Sequence, residues 1–301
     1  LHFGTDHDHV ADYNPMLQPL GLEGLVQSVV ADEVSPPARG HMNLYPLEQR
    51  LLPNGGAWLW WSNPIETTAA QMEALAAHYP DDYRVQVNHP LDTGIASAAG
   101  WTPGVISKST HWSDAFDIVE VMNASQYADY LPFYLDLVSR GIVTTPVGVS
   151  DSHSHTGGSV GLSATFWGMG TNRVEEYTDQ RLRDAIDSHQ TILTRGPFLK
   201  LSIPPGSLVT GAKMLDVEAM APSWIQVDRL KLLKNGDVVE TVAGKTAEFV
   251  LSPDVDAHYV VIAEGDQAMG GVWGNQTPWA MSSPIRVDVA GHGWTPPLAP
   301  L

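Results

Sequence analysis

Up to about Gly196 the apolar residues follow two rhythms. Short alternating or continuously apolar runs predict strands: "GLVQSVVADEV" (24–34), "YRVQVNHP" (83–90), "FDIVEVMN" (116–123) and "IVTTPVGVSDSH" (142–153). Between them lie helical patterns. "ETTAAQMEALAAHYPDD" (66–82) sets Met72, Leu75, Ala76 and Tyr79 on one face, and "ADYLPFYLDLVSRG" (128–141) predicts a helix ended by Gly141. "TNRVEEYTDQRLRDAIDSHQ" (171–190) predicts a long helix carrying Val174, Tyr177, Leu182 and Ile186. Strands alternating with helices predict a β/α architecture. A polar cluster follows several of the strands, where the loops of a β/α barrel converge.

After "TRGPFLKL" the helical period disappears. "DRLKLLKNGDVVETV" (228–242) predicts a hairpin turning at Asn235-Gly236, and "HYVVIAEG" and "SPIRVDVAG" add strands. The expected organisation is a barrel over residues 1–196, then a small all-β sandwich over 197–301 that closes on the Pro-rich tail "GWTPPLAPL".

Composition narrows the chemistry. The chain has 301 residues, 43% hydrophobic, enough for one large core or two smaller ones. Sixteen basic residues against 34 acidic give a net charge of -18, which repels nucleic-acid backbones and anionic lipid at long range. With no cysteine, any metal must sit on nitrogen and oxygen. No run approaches the ~18 apolar residues of a membrane span, and the opening residues are not a signal peptide. Zero cysteines and an appended β-domain lean toward an exported or periplasmic protein, with a cytoplasmic one as the alternative.

Four clusters carry candidate chemistry. "TDHDH" (5–9) follows an apolar strand, with a capped polar turn as the alternative. "ADEVSPPARGHMN" (31–43) ends a strand on Glu33 and places His41 eight residues on. A Glu carboxylate can bridge two cations, and imidazole suits zinc or iron; taken alone, Glu33 reads as a surface carboxylate. In "VNHP", His89 precedes a proline that disfavours helix. In "GVSDSHSH", Asp151 and His153 share a face if the chain stays extended, with a Ser/Asp-rich turn as the alternative.

Taken together and in this order, "TDHDH", "DEVS" with "GHMN", "NHP", "VEVMN" and "SDSHS" resemble the PHP (polymerase and histidinol phosphatase) superfamily, in particular its carbaryl-hydrolase-like branch, over residues 1–196. That resemblance implies an α/β fold, a distorted (β/α)7 TIM-like barrel that is incomplete at its N-terminus. It also implies two or three divalent ions, zinc, manganese or iron, on His7, Glu33, His41, His89, Asp151 and His153. Glu33, His41 and Asp151 would be catalytic, with Glu33 as the bridge. Asp6, His9, Glu120 and Asn123 would be outer or alternate ligands.

The superfamily's opening His-x-His pair has no counterpart here, and the expectation is that it was lost with an upstream segment. A metal-bridged hydroxide would attack a small-molecule phosphoester, or an aryl ester or carbamate at the same site. "GVSDS" lacks the second glycine of a nucleophile elbow, which argues against a serine hydrolase. Tyr45, Trp58, Trp60, Trp61, Trp101, Trp112 and Trp167 are candidate pocket aromatics, and "SHTGGSVGLSATFWGMG" (154–170) is a candidate lid. A reading of another class is a non-catalytic scaffold with a binding sandwich.

Overall fold

The computed structural model describes residues 1–37, 39–63, 65–79, 82–154 and 160–301. The chain divides into two compact units, Leu1–Val119 with Met169–Asp184, and Glu120–Gly168 with Ala185–Leu301. The boundary expected at 196/197 falls inside the second of these.

In the first unit, β1 (His2–Gly4) is followed by the short helix α1 (Asn14–Leu17) and by β2 (Ser28–Val30), which pairs with β1 in parallel. Then come β3 (Asp32–Val34), β4 (Met42–Tyr45), α2 (Thr68–His78), β5 (Arg84–Val87), α3 (Ile95–Ala98), the small hairpin β6 (Trp101–Thr102) with β7 (Val105–Ile106), and the opening of β8 (Ile118–Asn123). β3, β4 and β5 are antiparallel neighbours, and β5 runs parallel to the first residues of β8. Thr67 caps α2, its hydroxyl accepting from Ala70 N at 3.2 Å. Thr68, Gln71, Met72 and Leu75 form the buried stripe of α2 at helical spacing.

In the second unit the rest of β8 lies beside β9 (Thr145–Val149), and α4 (Tyr130–Ser139) connects them. α4 is buried along nearly its whole length, and Gly141 ends it with φ of 88°. β10 (Ala164–Trp167) precedes α5 (Asp179–Asp187), which starts in the first unit and finishes in the second. The helix expected from 171 begins only at Asp179. The hydroxyl of Thr178 accepts from Arg181 N at 3.2 Å, so a local cap wins over the apolar period upstream.

Strands then follow one another: β11 (Thr191–Arg195), β12 (Phe198–Leu201), β13 (Leu208–Thr210), β14 (Lys213–Met220), β15 (Arg229–Lys234), β16 (Asp237–Ala243), β17 (Thr246–Leu251), β18 (Ala257–Glu264), β19 (Trp279–Ser282) and β20 (Ile285–Asp288). One sheet runs β10-β11-β19-β18-β15-β16, with β20 on β18 and β13 on β20; a second runs β12-β14-β17. Their inner faces share one core. β14 and β17 supply Leu215, Val217, Phe249 and Leu251, while β15, β18 and β20 supply Leu230, Leu232, Tyr259, Val261, Ile285 and Val287. β14 alternates strictly, burying Leu215, Val217 and Ala219. Asn235 and Gly236 both take positive φ, 53° and 96°, as a two-residue turn between right-twisted strands demands.

A (β/α)7 barrel is not what the chain forms. The described residues are 32% strand and 18% helix, in several sheets, with five α-helices. A barrel needs each strand parallel to the next, joined by a crossover of a dozen or more residues that includes a helix. Residues 35–41 are too few for such a crossover, so β4 returns antiparallel to β3, and β5 is antiparallel again. α1 and α3 have four residues each, too short to cover a sheet. Among the described residues, no helix is long and apolar enough to cross a membrane. The proposed lid loses its second half to β10, and its residues 155–159 lie outside the described residues.

Candidate metal centre

Register places the ligand types in the first unit. The parallel pairing that matches His2 with Ser28 continues as a bridge between His7 and Glu33. Asp8 N donates to Glu33 O at 2.9 Å and Glu33 N to Asp6 O at 3.1 Å, so the backbone of "TDHDH" is fixed to β3. Glu33 is the cross-strand partner of Asn43. Because strand side chains alternate with a period of two, His41 comes onto the same face as Asn43 and hence as Glu33. Gly40, with φ of 97°, turns the chain into His41, and a Cβ there would lie 2.8 Å from Ile95 N. Met42 pairs with Val87, and Asn88 N donates to His41 O at 3.1 Å, which brings His89 to the same end of the sheet.

Glu33, His41 and His89 each offer a ligand atom, all within 4.8 Å of one another. His41 Nδ1 lies 3.1 Å from Glu33 Oε1, and His89 Nε2 lies 3.8 Å from the same oxygen. The rings of His41 and His89 meet edge to face at 4.9 Å. A divalent ion bound by nitrogen and oxygen at about 2.0–2.2 Å separates its ligand atoms by no more than about 4.4 Å. The 3.1 and 3.8 Å separations of the two imidazole nitrogens from Glu33 Oε1 lie within that limit, as one ion shared by the three groups requires. His7 stands beside them, its Nδ1 3.7 Å from Glu33 Oε2 and 2.6 Å from Ser35 Oγ.

The surroundings match that role. Burial alone would raise Glu33, but the imidazoles of His41 and His89, with charge on His7 and His41, outweigh it and hold the carboxyl well below the usual carboxylate range. His89 has a left-handed backbone, φ 24°, in front of Pro90. Strain of this kind persists only where the surroundings over-determine it. Thr93 Oγ1 sits 2.9 Å from His89 Nδ1, fixing the ring so that Nε2 faces Glu33.

Two further carboxylates support the loop. Asp8, at φ 53°, is buried and accepts from Ser35 N at 3.4 Å and Trp60 Nε1 at 3.1 Å. Asp32, on the opposite face of β3, accepts from His9 N at 3.0 Å and Tyr79 OH at 2.6 Å, and burial pushes it up to about 7.

Asp6 is exposed and accepts from Tyr13 OH at 2.6 Å, and His9 is exposed too; the buried carboxylate of the cluster is Asp8. Glu120, Asn123, Asp151 and His153 belong to the second unit. There Glu120 is buried, Asn123 Nδ2 donates to Asp151 Oδ2 at 2.9 Å, and His153 Nδ1 lies 3.7 Å from Asp151 Oδ1. Of the candidate pocket aromatics, Tyr45 and Trp58 are core residues, Trp60 is tied to Asp8, and Trp61 packs on Trp60 at 5.5 Å while keeping half its surface exposed.

Sequence reasoning did not single out Asp8, Asp32 or Thr93. Strand alternation offered one signal. With Glu33 facing the site, Asp32 had to point the opposite way, and a carboxylate on an inward face needs donors.

No family model matches the chain, and no curated protein matches it. Among solved structures, the fibronectin(III)-like modules of Clostridium thermocellum CbhA match at 20% sequence identity, over 31% of this chain and 96% of that chain, with a TM-score of 0.21.

Proposed function

We propose that the chain is a metal-dependent hydrolase of small-molecule esters, a phosphoesterase by preference, with a divalent ion held by Glu33, His41 and His89. The convergence of these three residues from β3, the approach to β4 and the exit of β5 carries the proposal. Support also comes from their motifs, "DEVS" with "GHMN" and "NHP", which resemble those of PHP metallohydrolases.

An ion bound there would lower the pKa of water toward ~7 and stabilise negative charge developing on the ester's oxygens. The protein's part is to hold ligands and leave room. Glu33 stays ionised across the physiological range, so it brings negative charge to the ion. Thr93 sets the direction of the His89 ring. Two imidazoles and one carboxylate form the three-ligand set of catalytic zinc sites, in which a further position stays open. His7 stands at the margin as a further ligand.

The test is elemental analysis of metal per chain after incubation with zinc, manganese or iron, joined to hydrolysis of p-nitrophenyl phosphate and p-nitrophenyl acetate. Wild type should hold metal and cleave the phosphate ester. Glu33→Gln should lose both properties while its circular dichroism is unchanged. Acetate cleaved in preference to phosphate would move the substrate class to carboxylic esters. A wild-type chain that takes up no ion would refute the proposal.

A further inference from the structure

Four polar side chains are buried in a row on the face of the sheet that carries Glu33 and His41. Tyr45 and Asn43 lie on β4, Gln86 on β5 and Asn88 just after it; Asn43 pairs with Gln86, and Asn88 follows two residues on. Tyr45 OH donates to Gln86 Oε1 at 2.7 Å, Gln86 Nε2 to Asn88 Oδ1 at 2.8 Å, and Asn88 Nδ2 to Asn43 Oδ1 at 2.8 Å. Apolar residues of similar size would fill this space without needing partners.

The row has a direction, and it ends at the site. Each amide oxygen accepts from the previous donor, and Gln86 and Asn88 each donate to the next oxygen, so Asn43 Nδ2 is the amide nitrogen of the row left with neither N–H used. Among the described residues it has no hydrogen-bond partner, although Asn43 is directly opposite Glu33. Opposed side chains in such a pair have Cβ atoms about 4.5–5.5 Å apart. Asn43 is also the least enclosed of the four. The direction of these bonds leaves the N–H of Asn43, in register with Glu33, as the free end of the row.

We propose, on the footing that the chain is the hydrolase described above, that Asn43 is a catalytic residue whose Nδ2 donates to an oxygen of the bound ester and of its anionic product. Tyr45, Gln86 and Asn88 are positioning residues that hold that amide in its donating orientation. The chemistry is that of an oxyanion donor: a fixed dipole, aimed before the substrate arrives, at the place where negative charge develops.

The experiment compares wild type, Asn43→Leu, Tyr45→Phe and Glu33→Gln, each after metal loading, for metal per chain, affinity for inorganic phosphate by calorimetry, and turnover of p-nitrophenyl phosphate. Asn43→Leu should keep its metal and its circular dichroism, melt somewhat lower because Asn88 Nδ2 loses its acceptor, bind phosphate about tenfold or more weakly, and lose about 10²–10³ in kcat. Tyr45→Phe should show a smaller loss of phosphate affinity with metal retained, because Gln86 is then free to turn. Asn43→Leu with metal, phosphate affinity and kcat all at wild-type level overturns the donor role while leaving the hydrolase intact. Weaker metal binding, with phosphate affinity and kcat at wild-type level once excess metal fills the site, also overturns it, since Asn43 would then only position a ligand. Wild type without metal or turnover brings down the hydrolase reading, and this donor with it.

Discussion

His258, near the start of β18, should make the second unit sensitive to mild acid. Its side chain is fully buried, with Nε2 2.8 Å from Ser139 Oγ of α4, and Nδ1 has no hydrogen-bond partner. An orphaned lone pair costs less than an orphaned N–H, so the neutral tautomer carries its proton on Nε2 and donates to Ser139. Protonation would place a charged N–H at Nδ1 without an acceptor. Burial accordingly lowers the group from 6.5 to about 4.

Between those values the unfolded chain binds the proton and the folded chain does not, so stability is whole above the unfolded value and falls as pH drops from 6.5 toward 4. For a shift of this size the loss is about 2 kcal/mol at pH 5 and about 3 kcal/mol well below the folded pKa. The assay is urea unfolding at pH 8, 6.5 and 5 of wild type and His258→Gln, followed by tryptophan fluorescence. The glutamine variant starts less stable but should lose about 2 kcal/mol less between pH 8 and pH 5. Parallel pH profiles for the two proteins would refute the assignment of a buried neutral imidazole.

Two further outcomes follow from other parts of the structure. Thr93→Val removes the oxygen that orients the His89 ring, and metal affinity measured by competition with a chelating dye should fall about 10–100-fold, with secondary structure unchanged; unchanged affinity would mean that His89 is oriented by its backbone alone. Phe249→Ala empties a fully buried position shared by the two sheets of the second unit and should cost about 3–5 kcal/mol in urea unfolding; a cost under about 1 kcal/mol would show that the sheets collapse onto the space.

Elements governed by neighbours in sequence were legible from the chain. Asn235-Gly236 specified its turn because both residues tolerate positive φ, and β14 specified its inner face by strict alternation. The helix near 171–190 was misjudged at its start. The apolar residues Val174 and Tyr177 keep helical spacing, but Thr178 offers a cap that begins the helix after them. The barrel was misjudged for a different reason. A strand has the same local pattern whether its neighbour runs parallel or antiparallel, and the short stretch at residues 35–41 decided the direction of β4.

The same division holds for the candidate site. The sequence by itself determined the ligand chemistry, since a chain without cysteine has only imidazole and oxygen donors, and it put Glu33 and His89 at strand ends with His41 eight residues beyond Glu33. Strand pairing alone decided which of the 12 histidines meet. The 26-residue offset that runs from His2 and Ser28 to His7 and Glu33 sets the first neighbour, and the antiparallel registers of β3, β4 and β5 set the rest. Register shifted by one residue turns every side chain of a strand to the other face. The metal group and the polar row ending at Asn43 therefore depend on pairings between distant segments, which no local pattern of residues specifies.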